Sequence, residues 1–233
     1  MLKKALLLIP VLLFALPLKC MAVRSDTHLI DIPTAEILPA RSFGINARMF
    51  GGGGVLTYLE MPVLSRLSIG ASLTAEHLIG TNEERVKLLT PAVQAKFRFY
   101  DGSDALPAFA IGFDNQGFAY DRSKKEYIHT ARGAYLVATK EIITQGLVIN
   151  PGLNISVDDF EFYRLAAFAG ASYNIKDAVS LMFEWDNIRS ISESRLNGGL
   201  RVYIYNNFAL DFALRSFNHR AERILQLRYS FSI

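Results

Sequence analysis

The sequence predicts an all-β fold: a single antiparallel transmembrane β-barrel of about twelve strands, of the bacterial outer-membrane type. The clearest observation is the final stretch, Ala221 to Ile233, where leucines and aromatic residues alternate with Gln226, Arg228 and two serines. A tilted strand of roughly ten alternating residues crosses a bilayer with one face toward lipid and the other toward the lumen. Two further observations support the barrel: the alternation recurs along the chain, and the connections between the segments alternate in length.

Taken in order, the alternating segments predict strands that are separated by turn residues. They span residues 41–50, 54–62, 66–76, 88–100, 107–115, 128–140, 144–154, 161–173, 178–187, 194–204, 208–218 and 222–233. An even strand count places both chain termini on the periplasmic side of such a barrel.

The connections support this orientation. Those expected on the periplasmic side are short, for example residues 63–65 and 205–207. On the opposite side, residues 77–87 and 116–127 form long, polar and charged connections. Short periplasmic turns and longer external loops are typical of outer-membrane barrels.

A secreted soluble β-barrel or sandwich is the alternative, because its strands also alternate. The two faces of each strand favour the membrane form. Residues 179–186, for example, place Val, Leu, Phe and Trp on one face and Ser, Met, Glu and Asp on the other. The polar faces hold small residues and ions, which suit a lumen better than a soluble exterior.

The amino terminus predicts export across the inner membrane. Lys3 and Lys4 precede an apolar run, and small residues precede Val23, as in a signal peptide cleaved after Ala22. A membrane anchor is the alternative, but the run is shorter than the ~20 residues that a spanning helix needs. Lipidation at Cys20, the only cysteine, is a second alternative. We therefore expect a signal peptide over 1–22, a periplasmic lead over 23–40 that tucks under or into the lumen, and the barrel over 41–233.

Charge and composition exclude several classes of function. The chain has 25 Lys and Arg and 22 Asp and Glu, and removal of three leader lysines leaves 22 of each. A neutral mature chain gives no basic footprint for nucleic acid. We find no catalytic, cofactor or metal motif, because none of the four histidines has a nucleophile or carboxylate at catalytic spacing.

The polar faces together predict the residues that line the lumen. They are Lys96, Arg98, Arg132, Arg164, Glu184, Asp186, Arg195, Arg201, Asp211, Arg215 and Arg228. One interpretation is that these ions pair across the barrel and fill it. The other is a basic track for an anionic solute, since guanidinium groups offer forked donors to carboxylates and phosphates.

Three short segments carry a resemblance to a known family: residues 32–35 (Ile-Pro-Thr-Ala), residues 107–117 and residues 134–140. They resemble segments of the YjbH-like outer-membrane barrels that are associated with bacterial exopolysaccharide production. The resemblance implies an envelope protein that helps to secrete or handle an extracellular glycan. It implies no catalytic residues.

The sequence thus favours a non-enzymatic outer-membrane barrel, either a narrow porin-like channel or an envelope accessory protein. The expected partners are outer-membrane lipid, an anionic solute or polysaccharide, and other envelope proteins. A barrel enzyme that acts on lipid or glycan, and a structural or adhesive barrel with a filled lumen, remain alternatives. A Ser or Asp close to His77 or His129 would favour the enzyme.

Overall fold

The structure is a computed structural model that describes residues 26–80, 85–121, 126–129, 131–142, 146–156 and 164–232. Twelve antiparallel strands form one closed barrel. They are Ser42–Phe50 (β1), Gly54–Leu64 (β2), Leu67–Glu76 (β3), Ala92–Tyr100 (β4), Ala108–Asp114 (β5), Gly133–Glu141 (β6), Leu147–Ser156 (β7), Arg164–Ile175 (β8), Val179–Ile188 (β9), Arg195–Tyr205 (β10), Phe208–Arg215 (β11) and Glu222–Ser232 (β12). Each strand pairs with its sequence neighbours, and β1 pairs with β12 from Ser42↔Ser232 to Met49↔Leu225. No helix within these ranges is long and apolar enough to cross a membrane.

Short elements decorate one end of the barrel, which we call the loop end. Gly51–Gly53 forms a 3-10 turn between β1 and β2. Lys87–Leu88 pairs with the end of β3, and Phe118–Asp121 pairs with Glu126–His129 in a separate hairpin, the loop hairpin. The opposite end, the turn end, carries the shorter connections and both ends of the barrel sequence.

The fold class and the twelve strands predicted from sequence are confirmed, but several strand bounds are wrong. The fourth strand begins at Ala92 instead of 88, because Pro91 has no N–H for the ladder and Lys87–Leu88 pairs elsewhere. The sixth begins at Gly133, where a positive φ of 71° interrupts the extended chain. The eleventh ends at Arg215, before Ser216 with a φ of 51°.

The predicted signal peptide, residues 1–22, and Cys20 lie outside the described residues. Of the predicted lead, residues 26–40 are described, and they lie inside the barrel.

The wall turns its apolar face outward. On β9, Leu181, Phe183 and Trp185 are 40–48% exposed, whereas Glu184 and Asp186 between and beside them are at most 1% exposed. A monomeric soluble protein rarely exposes a contiguous apolar surface of this extent. The pattern is that of a barrel whose outer face contacts lipid and whose inner face is polar.

Residues 26–40 form a hairpin within the lumen, which we call the plug. The Thr34 amide donates to the Thr27 carbonyl oxygen at 3.1 Å. The Leu29 amide donates to the Ile32 carbonyl oxygen at 3.0 Å. The chain therefore enters from the turn end, reverses at Ile30 and Asp31, and returns to begin β1 at the turn end. The tip of the plug lies beside Glu184, in the middle of β9, and beside Asn197, the third residue of β10.

The apolar side chains of the plug form the core of the molecule. Leu29, Ile30, Ile32 and Ala35 are at most 2% exposed. They pack against inward-facing residues of the wall, namely Ala108, Ala110, Tyr135, Val137, Phe168, Met182, Ala213 and Ile224. Burial of apolar surface in the lumen thus holds the plug in addition to its polar contacts.

Two glycines make room for this close approach. A Cβ atom on Gly170 of β8 would lie 2.2 Å from Ile32 Cδ1 and 2.8 Å from Leu29 Cδ1. A Cβ atom on Gly199 of β10 would lie 3.1 Å from Ile30 Cδ1. These positions need glycine because the plug occupies the space of a side chain.

The plug divides the lumen into two vestibules. The upper vestibule, at the loop end, has a volume of about 970 Å³, and the lower vestibule, at the turn end, about 1680 Å³. Beside the plug lies a cavity of only about 40 Å³, lined by His28, Tyr58 and Lys96 among others. The lumen is therefore constricted at the level of the plug.

Candidate functional site: the plugged lumen

The tip of the plug is held by a carboxylate of the wall. Glu184 on β9 accepts hydrogen bonds from the backbone amides of Ile30, Asp31 and Ile32, at 2.7, 2.9 and 3.1 Å from Oε1. Its other oxygen, Oε2, accepts from Asn197 Nδ2 at 2.7 Å. Consecutive amides that converge on one anion form a concave anion site. The Glu184 carboxylate therefore binds the backbone of the turn and not the side chains of the turn.

At the tip of the plug, the Asp31 side chain is an anion that contacts cations of the wall. The Asp31 carboxylate is 3% exposed. Its Oδ1 accepts a hydrogen bond from Arg48 Nη1 at 2.7 Å, and its Oδ2 forms an ion pair with Arg215, whose Nε lies 2.9 Å away. Burial alone would raise the pKa of the Asp31 carboxyl, but Arg215 and Arg48 outweigh burial and hold this pKa well below its usual range. Asp31 is thus a charged group at neutral pH, with one arginine on each oxygen.

Cationic side chains of the wall also hold the carbonyl groups of the plug. Each carbonyl oxygen from Thr27 to Asp31 accepts a hydrogen bond from at least one of them. Lys96 donates to the carbonyl oxygen of Thr27, Arg201 to that of His28, and both Arg201 and Arg228 to that of Leu29. Arg48 donates to the carbonyl oxygen of Ile30, and Arg132 to that of Asp31. Lys96 Nζ donates again to the Glu36 carbonyl oxygen at 3.0 Å. The wall replaces the water that would otherwise solvate this backbone.

Two carboxylates of the wall neutralise part of this positive charge, each between two arginines. The pairs are Asp186 with Arg132 at 3.1 Å and Arg195 at 2.7 Å, and Asp211 with Arg201 at 2.7 Å and Arg228 at 2.7 Å. Arg201 Nη1 also binds Asp26 at 2.7 Å, at the start of the plug. The wall and the plug therefore form one connected network of ions.

The structure brings together nearly all the residues that the sequence predicts in the lumen. Those whose side chains are described all contact the plug or a member of this network: Lys96, Arg98, Arg132, Glu184, Asp186, Arg195, Arg201, Asp211, Arg215 and Arg228. Arg98 does so at the turn end, where Nη1 lies 3.0 Å from Glu36 Oε2. The side chain of Arg164 lies outside the described part of the chain. Most of these cations thus already have a carboxylate or carbonyl partner.

Sequence reasoning missed the centre of the site. Arg48, 3% exposed, follows Gly44 and Asn46 on the polar face of β1, so strict alternation could have found it. Asp31 is the only charged residue in the run Leu29 to Pro33, a weaker signal. Nothing local in the sequence shows that these two residues pair.

An aromatic residue covers the two arginines that bind Asp31. Phe118, from the loop hairpin, lies with its ring centroid 4.3 Å from the Arg215 guanidinium carbon and 5.4 Å from that of Arg48. A guanidinium over an aromatic face gains cation–π stabilisation. Phe118 therefore roofs the Asp31 site on the side of the upper vestibule.

The two vestibules differ in charge. The upper vestibule is lined by six arginines and five carboxylates, and the lower one by three cations and six carboxylates. At the rim of the upper vestibule, Arg189, Arg220 and Arg223 are exposed and form no ion pair with any described residue. Available positive charge is therefore concentrated at the loop end.

Two of the histidines, His28 and His219, contact a neighbouring hydroxyl group and a backbone carbonyl group. His28 Nδ1 lies 3.2 Å from Thr27 Oγ1, and His219 Nε2 lies 2.9 Å from a backbone carbonyl oxygen, that of Ser194. The side chain of His129 is not among those described. Burial, together with Lys96, Arg228, Arg48 and Arg132, lowers the pKa of His28 well below its usual value. Within the described ranges, no three His, Cys, Asp or Glu residues are grouped as metal ligands.

No protein-family model and no curated protein matches the chain. Among solved structures, a KdgM porin is similar with a TM-score of 0.57 and 12% sequence identity, over 82% of this chain and 99% of that chain. A KdgM porin in complex with disordered oligogalacturonate is similar with a TM-score of 0.52 and 11% identity, over 82% and 99% of the two chains. At such identities the likeness concerns the fold, and it agrees with the closed barrel of twelve strands described above: this chain has the fold of a porin-type barrel.

Proposed function

We propose that this chain is a non-enzymatic outer-membrane protein, a narrow channel that its own N-terminal plug holds closed at rest. The observation that carries the proposal is the plug itself, whose backbone and Asp31 are bound by wall charges at mid-height. A lumen that served only as a structural core could be filled with wall side chains. Here it is filled by a segment that belongs to no strand of the wall, with a vestibule on each side.

The proposed orientation follows from the barrel type. We place the loop end outside the cell and the turn end in the periplasm, since short periplasmic turns and longer external loops are the rule. Export by a signal peptide over residues 1–22 and outer-membrane lipid as the surrounding partner belong to this proposal.

The proposed solute is anionic, and a charged polysaccharide or its fragments is one such class. Arg189, Arg220 and Arg223 at the rim of the upper vestibule, which form no ion pair with the described part of the chain, support this choice, because a basic vestibule raises the local concentration of anions. A similar porin was solved with oligogalacturonate, an anionic sugar polymer. The resemblance to YjbH-like barrels implies a link with exopolysaccharide, and other envelope proteins are the partners that such a link would involve.

A structural or adhesive barrel is the second candidate, and the same filled lumen favours it. The two functions differ in one respect: a channel must conduct when the plug leaves, whereas a structural barrel need not.

Planar bilayers can distinguish these candidates. Gly170→Leu places a side chain where Ile32 and Leu29 pack, and so expels the plug without changing any charge. Gly198→Leu is the matched control, since a Cβ atom there meets no atom closer than 3.5 Å. We expect rare openings for the wild type and Gly198→Leu, and frequent anion-selective openings for Gly170→Leu. Silence from folded, inserted Gly170→Leu protein would overturn the channel proposal in favour of the structural barrel.

A further inference from the structure

We propose that the two arginines around Asp31 form an exchangeable carboxylate site: a solute carboxylate from the upper vestibule replaces Asp31 on Arg215 and Arg48 and so releases the tip of the plug. The inference rests on the proposed channel function and adds the chemical class of the ligand that opens it.

The geometry of the site is that of a carboxylate receptor. Arg48 Nη1 donates to Asp31 Oδ1 at 2.7 Å, and Arg215 Nη2 donates to the same oxygen at 3.5 Å while its Nε lies 2.9 Å from Oδ2, so two cations contact the carboxylate. Both guanidinium groups lie against Phe118, which limits the directions in which they can turn. Charged, oriented donors of this kind select planar anions over neutral hydroxyl groups.

One side of the site faces the upper vestibule, beneath the ring of Phe118. Asp31 and Arg215 both line the upper vestibule. The arginines of this vestibule that form no ion pair with a described residue lie at its rim. An anion that enters from the loop end therefore meets Arg189, Arg220 and Arg223 before it reaches the site. No segment of the plug has to move for the anion to approach.

Exchange explains how a strongly held plug can be released. Withdrawing Asp31 into water would leave the buried Arg48 without a carboxylate partner and Arg215 with Glu222 alone, at 3.0 Å, which is costly. An incoming carboxylate takes the place of Asp31 on both arginines, so the cost of removing Asp31 from them largely cancels. Glu184 would lose the three amides of the tip but would retain Asn197 Nδ2 as a donor. A neutral solute of the same shape supplies no such compensation.

The test measures exposure of the plug directly. Ile30, at the tip, is 2% exposed, and the chain's only cysteine is Cys20. The Ile30→Cys protein, with Cys20→Ser, therefore carries one thiol, which reports plug release by its reaction with a membrane-impermeant maleimide. Labelling is compared in sodium glucuronate, and in glucose plus sodium chloride at equal ionic strength.

We expect glucuronate to raise the labelling rate about tenfold over the glucose and chloride control, as a ligand with a tenfold preference for the open state would. With Asp31→Asn added, labelling should be fast and independent of the anion. Equal rates in glucuronate and in glucose would overturn the inference. Because Ile30→Cys changes no charge, this comparison stands even if Asp31→Asn does not fold.

The channel proposal can fail separately. If Gly170→Leu conducts but glucuronate does not affect labelling, the channel stands and the exchange site is wrong. If glucuronate accelerates labelling while folded Gly170→Leu stays silent, the exchange site stands and the channel is wrong.

Discussion

At the scale of single residues, Asp31 joins the plug to the wall. Its carboxylate contacts arginines from β1 and β11, and its amide contacts Glu184 on β9. Three distant strands therefore converge on one residue. Buried charges arranged in this way are costly to leave unpaired, so the arrangement is stable only as a complete set.

The first prediction concerns that charge. Asp31→Asn keeps the shape of the side chain but removes the carboxylate that pairs with Arg48 and leaves Arg215 with Glu222 alone, and we expect a loss of about 3–5 kcal/mol in the stability of the plugged state. Urea unfolding in detergent, followed by gel mobility of the folded barrel, measures the change. Asp104→Asn, at an exposed position of the turn end, is the control and should change little. Equal stability of the two variants would show that the Asp31 pairs contribute nothing net.

The second prediction concerns pH and His28. Its pKa is lowered in the plugged state, so the released plug takes up a proton at a pH where the bound plug does not. Stability of the plugged state is therefore fully present above the ordinary pKa of about 6.5 and is lost as the pH falls below it. We expect labelling of Ile30→Cys to rise between pH 7.5 and 5.5. Asp31, with a pKa far below this window, stays ionised throughout.

His28→Gln is the matched variant for the pH experiment. It removes the titrating group, so its labelling should be nearly constant across the same range. A pH response that persists in His28→Gln would assign the titration to another group.

At the scale of elements, the plug is a short hairpin that cannot fold alone. Two backbone hydrogen bonds join its arms, and its apolar side chains belong to a buried cluster whose other members are residues of the wall. An isolated hairpin of this size is marginal in water. The wall therefore supplies its structure, by burial of Leu29, Ile30 and Ile32 and by hydrogen bonds to its carbonyls.

The third prediction tests this burial. Ile32 is fully buried, and Ile32→Ala should weaken the seating of the plug by about 2–4 kcal/mol through lost packing and a cavity. The measurement is the labelling rate of Ile30→Cys, which should increase strongly. Ile191→Ala, 87% exposed in a loop, is the control. An unchanged labelling rate in Ile32→Ala would mean that the polar contacts hold the plug by themselves.

At the scale of the whole molecule, an apolar exterior surrounds a charged interior. The core of a soluble protein is the reverse of this arrangement. Lipid on the outside makes it stable, because the apolar residues of each strand then face hydrocarbon while backbone groups pair around the closed barrel.

The fourth prediction tests the membrane assignment. Phe183 lies near the middle of β9 and faces outward, 48% exposed. Phe183→Arg should cost about 2–4 kcal/mol in lipid vesicles, as an arginine at the bilayer midplane does. The measurement is the free energy of unfolding in vesicles. Ile191→Arg, in a loop, should cost much less, and equal small costs at both positions would favour a soluble fold.

The sequence by itself determined the class of fold, the number of strands and the inward faces. Alternation with a period of two is local, so it can be read along one strand without knowledge of the others. Hence β9 and β12 were predicted almost residue by residue. The errors fall where a proline or a positive φ interrupts a strand near a long loop, as before β4 and β6.

Only the tertiary structure decided that the plug constricts the lumen and which charges meet there. Glu184 and the amide of Ile30 are separated by 154 positions in the sequence, and Asp31 and Arg215 by 184. No local pattern encodes such a pairing, because it depends on strand order, on shear and on the path of the plug through the barrel. Alternation shows that a side chain faces the lumen, whereas closure of the barrel around the plug decides what that side chain binds.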